Sequence, residues 1–225
     1  MAERLLQFFK LYPLDFISSL SSVFPIAAGL FRVNQLKINL IYVWLLFIVF
    51  FLKDTYSLIQ VFVSPSNLYV QNVEPIFETV LVGFVFLYSF EKPIYKRLIL
   101  FATVICLIIT LYFYNSKEVS AISLSAFRVF AIALALSYFN KILVDMRVKS
   151  IVKHSLFWFT SGLLIYCTGT FFIVLFSEYW YKDMNKVPSD VFNRYWNISQ
   201  VLFVFFALMA ALGLWAGKYD RENLM

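Results

Sequence analysis

The sequence predicts an all-α integral membrane protein, a bundle of about seven transmembrane helices. Of its 225 residues, 62% are hydrophobic, only 14% are charged, and 27 are Phe. A water-soluble fold of this length has too little polar surface to cover so many apolar side chains. In a bilayer those side chains face acyl chains, and helices satisfy their own backbone hydrogen bonds. We therefore expect a single transmembrane helical domain over residues 1–225.

Seven apolar runs approach the length that a helix needs to cross a bilayer, about 17 to 25 residues. The first run is interrupted by four serines and by Pro25, so whether it is a full crossing is left open. The second continues past Lys53 if that side chain reaches the membrane interface. Residues 54–73 and 178–195 are expected to form the longer loops on one side. The predicted spans are about 14–31, 38–53, 75–90, 98–114, 121–140, 155–177 and 196–216.

The distribution of lysine and arginine between the loops predicts the orientation. The loops on the C-terminal side hold eleven basic residues, and those on the other side hold seven. The eleven are Arg32, Lys37, Lys92, Lys96, Arg97, Lys141, Arg147, Lys149, Lys153, Lys218 and Arg221. Because basic loops remain in the cytoplasm, we expect an outer N-terminus and a cytoplasmic C-terminus. The residues 140–153 either continue the fifth helix or lie along the membrane surface.

Several functional classes find no support in the sequence. The net charge of +6 indicates attraction to anionic lipids, so we expect no nucleic-acid partner. One histidine and two cysteines in apolar runs, Cys106 and Cys167, do not suggest a metal site. The chain has no His-Glu-x-x-His, Gly-x-Ser-x-Gly or P-loop motif, and no lysine within the last span for a retinal Schiff base. We expect neither a cofactor nor an enzyme activity.

Two ionisable residues within the spans are candidate ligand-binding residues. Glu78 lies about one turn into the third span and Arg128 about two turns into the fifth. Charged groups in a membrane are costly and usually functional, and a guanidinium pairs well with a carboxylate. The functional interpretation is an outward-facing polar pocket that binds a ligand or an ion. The alternatives are a structural ion pair and two side chains that extend to the headgroups.

The sixth span combines small residues with a tyrosine on one face. Gly162, Tyr166 and Gly169 are spaced at i, i+4 and i+7. Small residues allow a neighbouring helix to approach closely, so the glycines are predicted to serve helix packing. The alternative is a pocket wall that includes Tyr166. Its further members would be Thr168, Thr170, Asn197, Ser199 and Gln200.

Part of the chain resembles a known group of membrane proteins. The segment Phe157-Trp158-Phe159-Thr160-Ser161-Gly162-Leu163-Leu164-Ile165-Tyr166, followed by Gly169, is similar to a signature of uncharacterised small seven-helix proteins of Bacteroidetes-type bacteria. The end of the last span, Ala211-Leu212-Gly213-Leu214-Trp215, and Glu78 also fit that group. Arg128 has no place in its pattern. The resemblance implies a membrane part of a sensor system, often associated with a histidine kinase.

Three functions remain as hypotheses. The first is a receptor-like sensor or signalling subunit of the bacterial inner membrane, which acts through a separate cytoplasmic partner such as a histidine kinase docked on residues 140–153. The second is a small membrane transporter or channel, and the third is an intramembrane enzyme or an assembly scaffold. The expected partners are the lipid bilayer and this cytoplasmic protein. The sequence specifies neither a ligand nor an oligomeric state.

Overall fold

A computed structural model describes residues 13–63, 68–115, 119–145, 150–177 and 189–220. These residues form α-helices joined by short turns and three 3₁₀ segments, and none of them lies in a β-strand. The helices are α1 (Pro13–Ser21), α2 (Val23–Arg32), α3 (Ile38–Val63), α4 (Leu68–Leu87), α5 (Pro93–Tyr112), α6 (Ala121–Asp145), α7 (Ser155–Leu175) and α8 (Ser189–Ala216).

Seven helical segments are long and apolar enough to cross a membrane, which confirms the predicted multi-pass helical architecture. The segment that is interrupted by serines is among them. It consists of α1 and α2 in series, and with the following 3₁₀ turn it extends over Pro13–Gln35. The break between the two helices falls at Ser22, whose side chain is fully buried.

Several helices are longer than predicted. Helix α3 ends ten residues beyond the predicted end of the second span, and α4 begins at Leu68, so most of the expected loop 54–73 is helical. The polar residues there remain helical because Lys53 contacts both Asp54 and Glu74 within the bundle. Helix α6 continues to Asp145, as one of the two interpretations of 140–153 predicts. Arg147, Lys149 and the segment 178–188 lie outside the described residues.

The helices form a closed ring with one peripheral member. Helix α8 packs against α7, α3 and the α1–α2 pair, α7 packs against α6, and α3 packs against α4. Contacts between α4 and α6 close the ring. Helix α5 packs on the outside of α4 and α6, and only 17% of its apolar stretch is buried inside the protein. This arrangement encloses the inner faces of six segments.

Aromatic side chains fill the middle of the ring. Phe47 of α3, Phe159 of α7 and Phe206 of α8 are all 0% exposed. The ring of Phe206 lies 5.1 Å from Phe47 and 5.7 Å from Phe159, centroid to centroid. Contacts at these distances combine buried area with favourable tilted ring geometry. This layer joins three helices and separates the two ends of the bundle.

Glycines set the close approach of α7 and α8. A Cβ atom at Gly213 would lie 2.7 Å from the backbone oxygen of Ser155. One at Gly162 would lie 2.8 Å from Cβ of Met209, and one at Gly169 would lie 2.6 Å from the end of the Leu202 side chain. Small residues at a helix interface allow this proximity. The contact at Gly213 is the least adaptable, since the neighbouring atom belongs to the backbone.

A buried carboxylate fixes the end of the chain at one end of the bundle, called the Asp220 end below. Asp220 is 3% exposed and accepts hydrogen bonds from the backbone N–H (2.9 Å) and the hydroxyl (2.5 Å) of Ser155. Its carboxylate also lies 3.4 Å from Nδ1 of His154 and 3.8 Å from Nζ of Lys37. Nε2 of His154 in turn lies 2.6 Å from the hydroxyl of Tyr138. The cluster therefore connects α6, α7 and the residues after α8.

Replacement of Gly213 by alanine is expected to destabilise the protein by about 1–3 kcal/mol, because the methyl group overpacks a backbone contact. Gly169→Ala is the matched control, since it meets only the movable end of Leu202. Thermal unfolding in detergent measures the loss of stability of each variant relative to wild type. Equal losses for the two variants would contradict the assignment of the closest approach to Gly213.

Replacement of Asp220 by asparagine tests the cluster at the Asp220 end. Burial alone would raise the pKa of Asp220, but the nearby His154 imidazole and the hydrogen bonds from Ser155 outweigh it and lower that pKa below its ordinary value. A lowered native pKa stabilises the fold above the unfolded-state pKa, and this stabilisation is lost as the pH falls through the native pKa. Wild type should therefore be the more stable protein by about 1–3 kcal/mol at pH 5.

The difference in the free energy of unfolding between wild type and Asp220→Asn should become smaller as the pH is lowered from about 5 to about 3. Thermal unfolding of both proteins across this range measures it. A difference that stays constant or widens on acidification would show that the charge of Asp220 does not stabilise the fold.

Candidate functional site

A cavity of about 270 Å³, lined by apolar side chains and by several charged and polar ones, lies inside the ring of helices, at the end opposite Asp220. Residues of α1, α3, α4, α6, α7 and α8 line it. It extends from Tyr195, which is 42% exposed, to Arg128, which is 4% exposed. Phe203 also lines the cavity, and the aromatic layer of Phe47 and Phe206 lies beyond it. The cavity thus ends on packed aromatic side chains.

Arg128 of α6 forms the floor of the cavity between two neighbouring helices. Its Nη1 donates to both carboxylate oxygens of Glu78 on α4, each at 3.4 Å. Its Nη2 donates to the hydroxyl of Tyr166 on α7 at 2.9 Å, and its guanidinium carbon lies 4.6 Å from the centroid of that ring. The ring of Tyr166 stacks on Phe206 of α8 at 5.5 Å. One cation therefore connects α4, α6 and α7.

The guanidinium of Arg128 retains unused hydrogen-bonding capacity. A guanidinium carries five N–H donors, and it keeps its charge in any accessible environment. Within the described residues, Nε of Arg128 has no hydrogen-bond partner. Glu78, which is 2% exposed, supplies the opposite charge but does not line the cavity. The geometry thus leaves a buried donor of a charged group at the inner end of the cavity.

The wall of the cavity carries a second set of charges. Nζ of Lys53 lies 2.7 Å from Oδ1 of Asp54 and 3.1 Å from Oε1 of Glu74. Nearer the N-terminus, Asp15 of α1 accepts a hydrogen bond of 2.7 Å from the indole N–H of Trp196 on α8. All five of these residues line the cavity. The wall therefore presents three carboxylates and one ammonium group.

The structure brings together most of the residues that the sequence singled out. Arg128 lines the cavity, and so do Tyr166, Thr170, Ser199 and Gln200. Glu78 lies outside the lining and accepts hydrogen bonds from Arg128. Thr168 and Asn197 lie on the exposed faces of α7 and α8 and are not part of the lining.

The helical periodicity explains these two exposed positions. Trp196, Ser199, Gln200 and Phe203 share one face of α8, at i, i+3, i+4 and i+7, and they face the cavity. A residue directly after Trp196 points about 100° away from that face. Asn197 lies on the side of Trp196 away from Tyr195 and Ser199, and so falls outside the lining.

Sequence reasoning did not assign the wall charges to the site. The expectation for Lys53 was that its side chain reaches the membrane interface, and Asp54 and Glu74 were placed in or beside a loop. An available signal was the spacing of Glu74 and Glu78, which are four residues apart and so share one face of α4. A second signal was the pair of adjacent opposite charges after an apolar run, Lys53 and Asp54. Opposite charges in contact lower the free-energy cost of burying each other in the membrane.

Comparisons of the chain with family models, with curated proteins and with solved structures found no match. The assignment of the site therefore depends on its chemistry. Within the described residues, no cluster of three or more His, Cys, Asp or Glu side chains has the arrangement of a metal site. Both cysteines are buried and free. The lining of the cavity contains hydrogen-bond donors, carboxylates and aromatic rings, and groups of these kinds are typical of ligand-binding sites.

Neutralising Glu78 is expected to be among the most destabilising changes in this protein. Glu78→Gln leaves the Arg128 cation buried without its counter-charge, which costs about 3–5 kcal/mol. The double variant Glu78→Gln/Arg128→Gln should regain part of this loss, because no net charge stays buried. Thermal unfolding of the two single variants and the double variant forms a double-mutant cycle. Additive losses would show that the two side chains do not interact.

Proposed function

We propose that the protein is a receptor-like membrane sensor or signalling subunit, which binds a small ligand in the cavity and acts through a separate cytoplasmic partner such as a histidine kinase. The observation that carries the proposal is a cavity with charged and polar side chains in its lining, which ends inside the bundle on an aromatic layer. A cavity that is closed at its inner end suits a receptor better than a pore.

The connection between the two ends of the bundle supports a signalling role. Helices α6 and α7 contribute Arg128 and Tyr166 to the floor, and they contribute Tyr138 and Ser155 to the cluster around Asp220. A ligand that contacts the floor therefore contacts helices that reach the other end. Such a ligand changes the helix arrangement only to the extent that it binds two arrangements with different affinity.

The proposed orientation follows the basic loops. An outer N-terminus and a cytoplasmic C-terminus, in a bacterial inner membrane, place the cavity on the outside and Asp220 on the cytoplasmic side. Residues 140–153 are the proposed docking surface. Ile151 and Val152 there are 41% and 62% exposed, and Lys153 follows them in the same 3₁₀ turn. Exposed apolar residues next to a cation fit an acidic partner surface.

A small transporter is the second candidate. Its favourable observation is the series of ionisable side chains from Asp15 through Lys53 and Glu74 to Glu78. Charged groups inside membranes often form proton or ion pathways. Flux into proteoliposomes that Glu74→Gln abolishes would favour transport over sensing.

We expect a signalling protein to co-purify in stoichiometric amount from native membranes in mild detergent. Charge reversal at the proposed docking surface, Lys153→Glu, should reduce its recovery at least about tenfold if the contact is worth about 1.4 kcal/mol. Quantitative mass spectrometry of the purified complex measures the recovery.

Arg194→Glu is the matched control for the docking surface, because it reverses an exposed charge at the cavity end. It should leave the recovery of the partner unchanged. Purification of the chain alone, or equal losses for Arg194→Glu and Lys153→Glu, would contradict a partner bound at 140–153.

A further inference from the structure

The charges of the cavity are divided between its floor and its wall, and this division indicates the class of ligand. The inference rests on the proposed function, since it concerns the ligand of the same cavity. The floor presents N–H donors from one arginine, whereas the wall presents mainly carboxylates. A ligand that satisfies both parts needs an acceptor at one end and a cation at the other.

The floor calls for an anionic or strongly accepting group. Arg128 is 4% exposed and lines the cavity, yet its Nε has no hydrogen-bond partner within the described residues. Its Nη1 and Nη2 are directed to Glu78 and Tyr166. A buried donor without an acceptor is unfavourable, particularly on a charged group. Nε itself is buried, so a carboxylate entering the cavity would reach it after a rotation of the Arg128 side chain, and the guanidinium fork would then match its geometry.

The wall calls for a cation. Three carboxylates of the lining, those of Asp15, Asp54 and Glu74, face a single lysine there, Lys53, so two negative charges remain when all are ionised. The indole of Trp196 lies in the same wall, and aromatic faces attract ammonium groups.

A proline in α4 adds a backbone acceptor to this wall. Pro75 lies inside the helix and has no N–H, so the carbonyl of Gln71 lacks its usual intrahelical donor. Gln71 lines the cavity beside Glu74. A ligand ammonium group beside Glu74 would supply the donor that this carbonyl lacks.

We propose that the cavity binds a small zwitterion of the amino-acid class. Its carboxylate accepts hydrogen bonds from Arg128, and its ammonium group binds Glu74 and the Gln71 carbonyl. Glu74 lies one turn before Glu78, the partner of Arg128, which is a rise of about 6 Å along α4. An α-amino acid carries both charged groups on one carbon and fits this short separation. The volume of about 270 Å³ also suits a molecule of this size.

The first measurement is binding by the full chain in detergent. The twenty L-amino acids are tested singly for a saturable increase in the midpoint of thermal unfolding, and the best is titrated by calorimetry. Its decarboxylated amine and its deaminated acid are then compared. For leucine these analogues are 3-methylbutylamine and 4-methylpentanoate. Each analogue should bind at least about tenfold more weakly than the amino acid, because it leaves one charged part of the site unsatisfied.

Two variants separate the floor from the wall. Arg128→Lys keeps the charge beside Glu78 but removes the planar fork, and it should weaken binding of the amino acid and of the acid but not of the amine. Glu74→Gln should weaken binding of the amino acid and of the amine but not of the acid. Glu91→Gln makes the same chemical change at an exposed position near the Asp220 end and should bind like wild type.

A small-molecule extract of the native cells distinguishes failure of this inference from failure of the receptor proposal. If the extract stabilises wild type and no amino acid does, the inference of a zwitterionic ligand is wrong, but the receptor proposal is retained. If neither the extract nor any amino acid stabilises wild type, both the zwitterion inference and the receptor proposal are wrong. If one analogue binds as tightly as its amino acid, the ligand is a simple amine or acid, and the zwitterion is overturned.

Discussion

The burial of Arg128 is the constraint on which the interior of this bundle depends. A guanidinium cannot lose its charge, and in a membrane it has no water to replace its partners. It therefore requires a carboxylate, Glu78 at 3.4 Å, and a polar neighbour, Tyr166 at 2.9 Å. These two residues come from different helices, α4 and α7, while Arg128 belongs to α6. Because the charge must be satisfied, the three helices are held in one arrangement, and the cavity lies where they leave space beside α8.

The bundle has two polar ends separated by an apolar middle. The fully buried rings of Phe47 and Phe206 pack between the cavity and the cluster at Asp220. The same two helices, α6 and α7, contribute to both ends. Close packing at Gly162 and Gly213 joins α7 to α8 as well. The cavity and the Asp220 cluster thus lie at opposite ends of the same two helices.

Hydropathy predicted the seven spans because each helix in lipid must be apolar along its length, whatever its neighbours. It also identified Glu78 and Arg128, since an ionisable residue within an apolar run is conspicuous. It did not identify Lys53 and Glu74 as parts of the site, because charges at the edge of a run are also typical of loops. Their helical state depends on pairing across α3 and α4, and such pairing has no local signal. The position of Asp220 after the last span gave no indication that it is buried against Ser155.

The sequence by itself determined an all-helical chain with seven segments apolar enough to span a membrane, and it identified the two ionisable residues within them, Glu78 and Arg128. These properties follow from the cost of polar groups in lipid, which acts on each residue where it lies in the chain. The tertiary structure alone decided that α3 extends to Val63. It also decided that Asn197 faces outward and that Glu74 faces a cavity with Arg128 at its floor. These features arise from the rotation of each helix about its axis and from contacts between distant segments, since a step of one residue along α8, a rotation of about 100°, separates Trp196 in the lining from exposed Asn197.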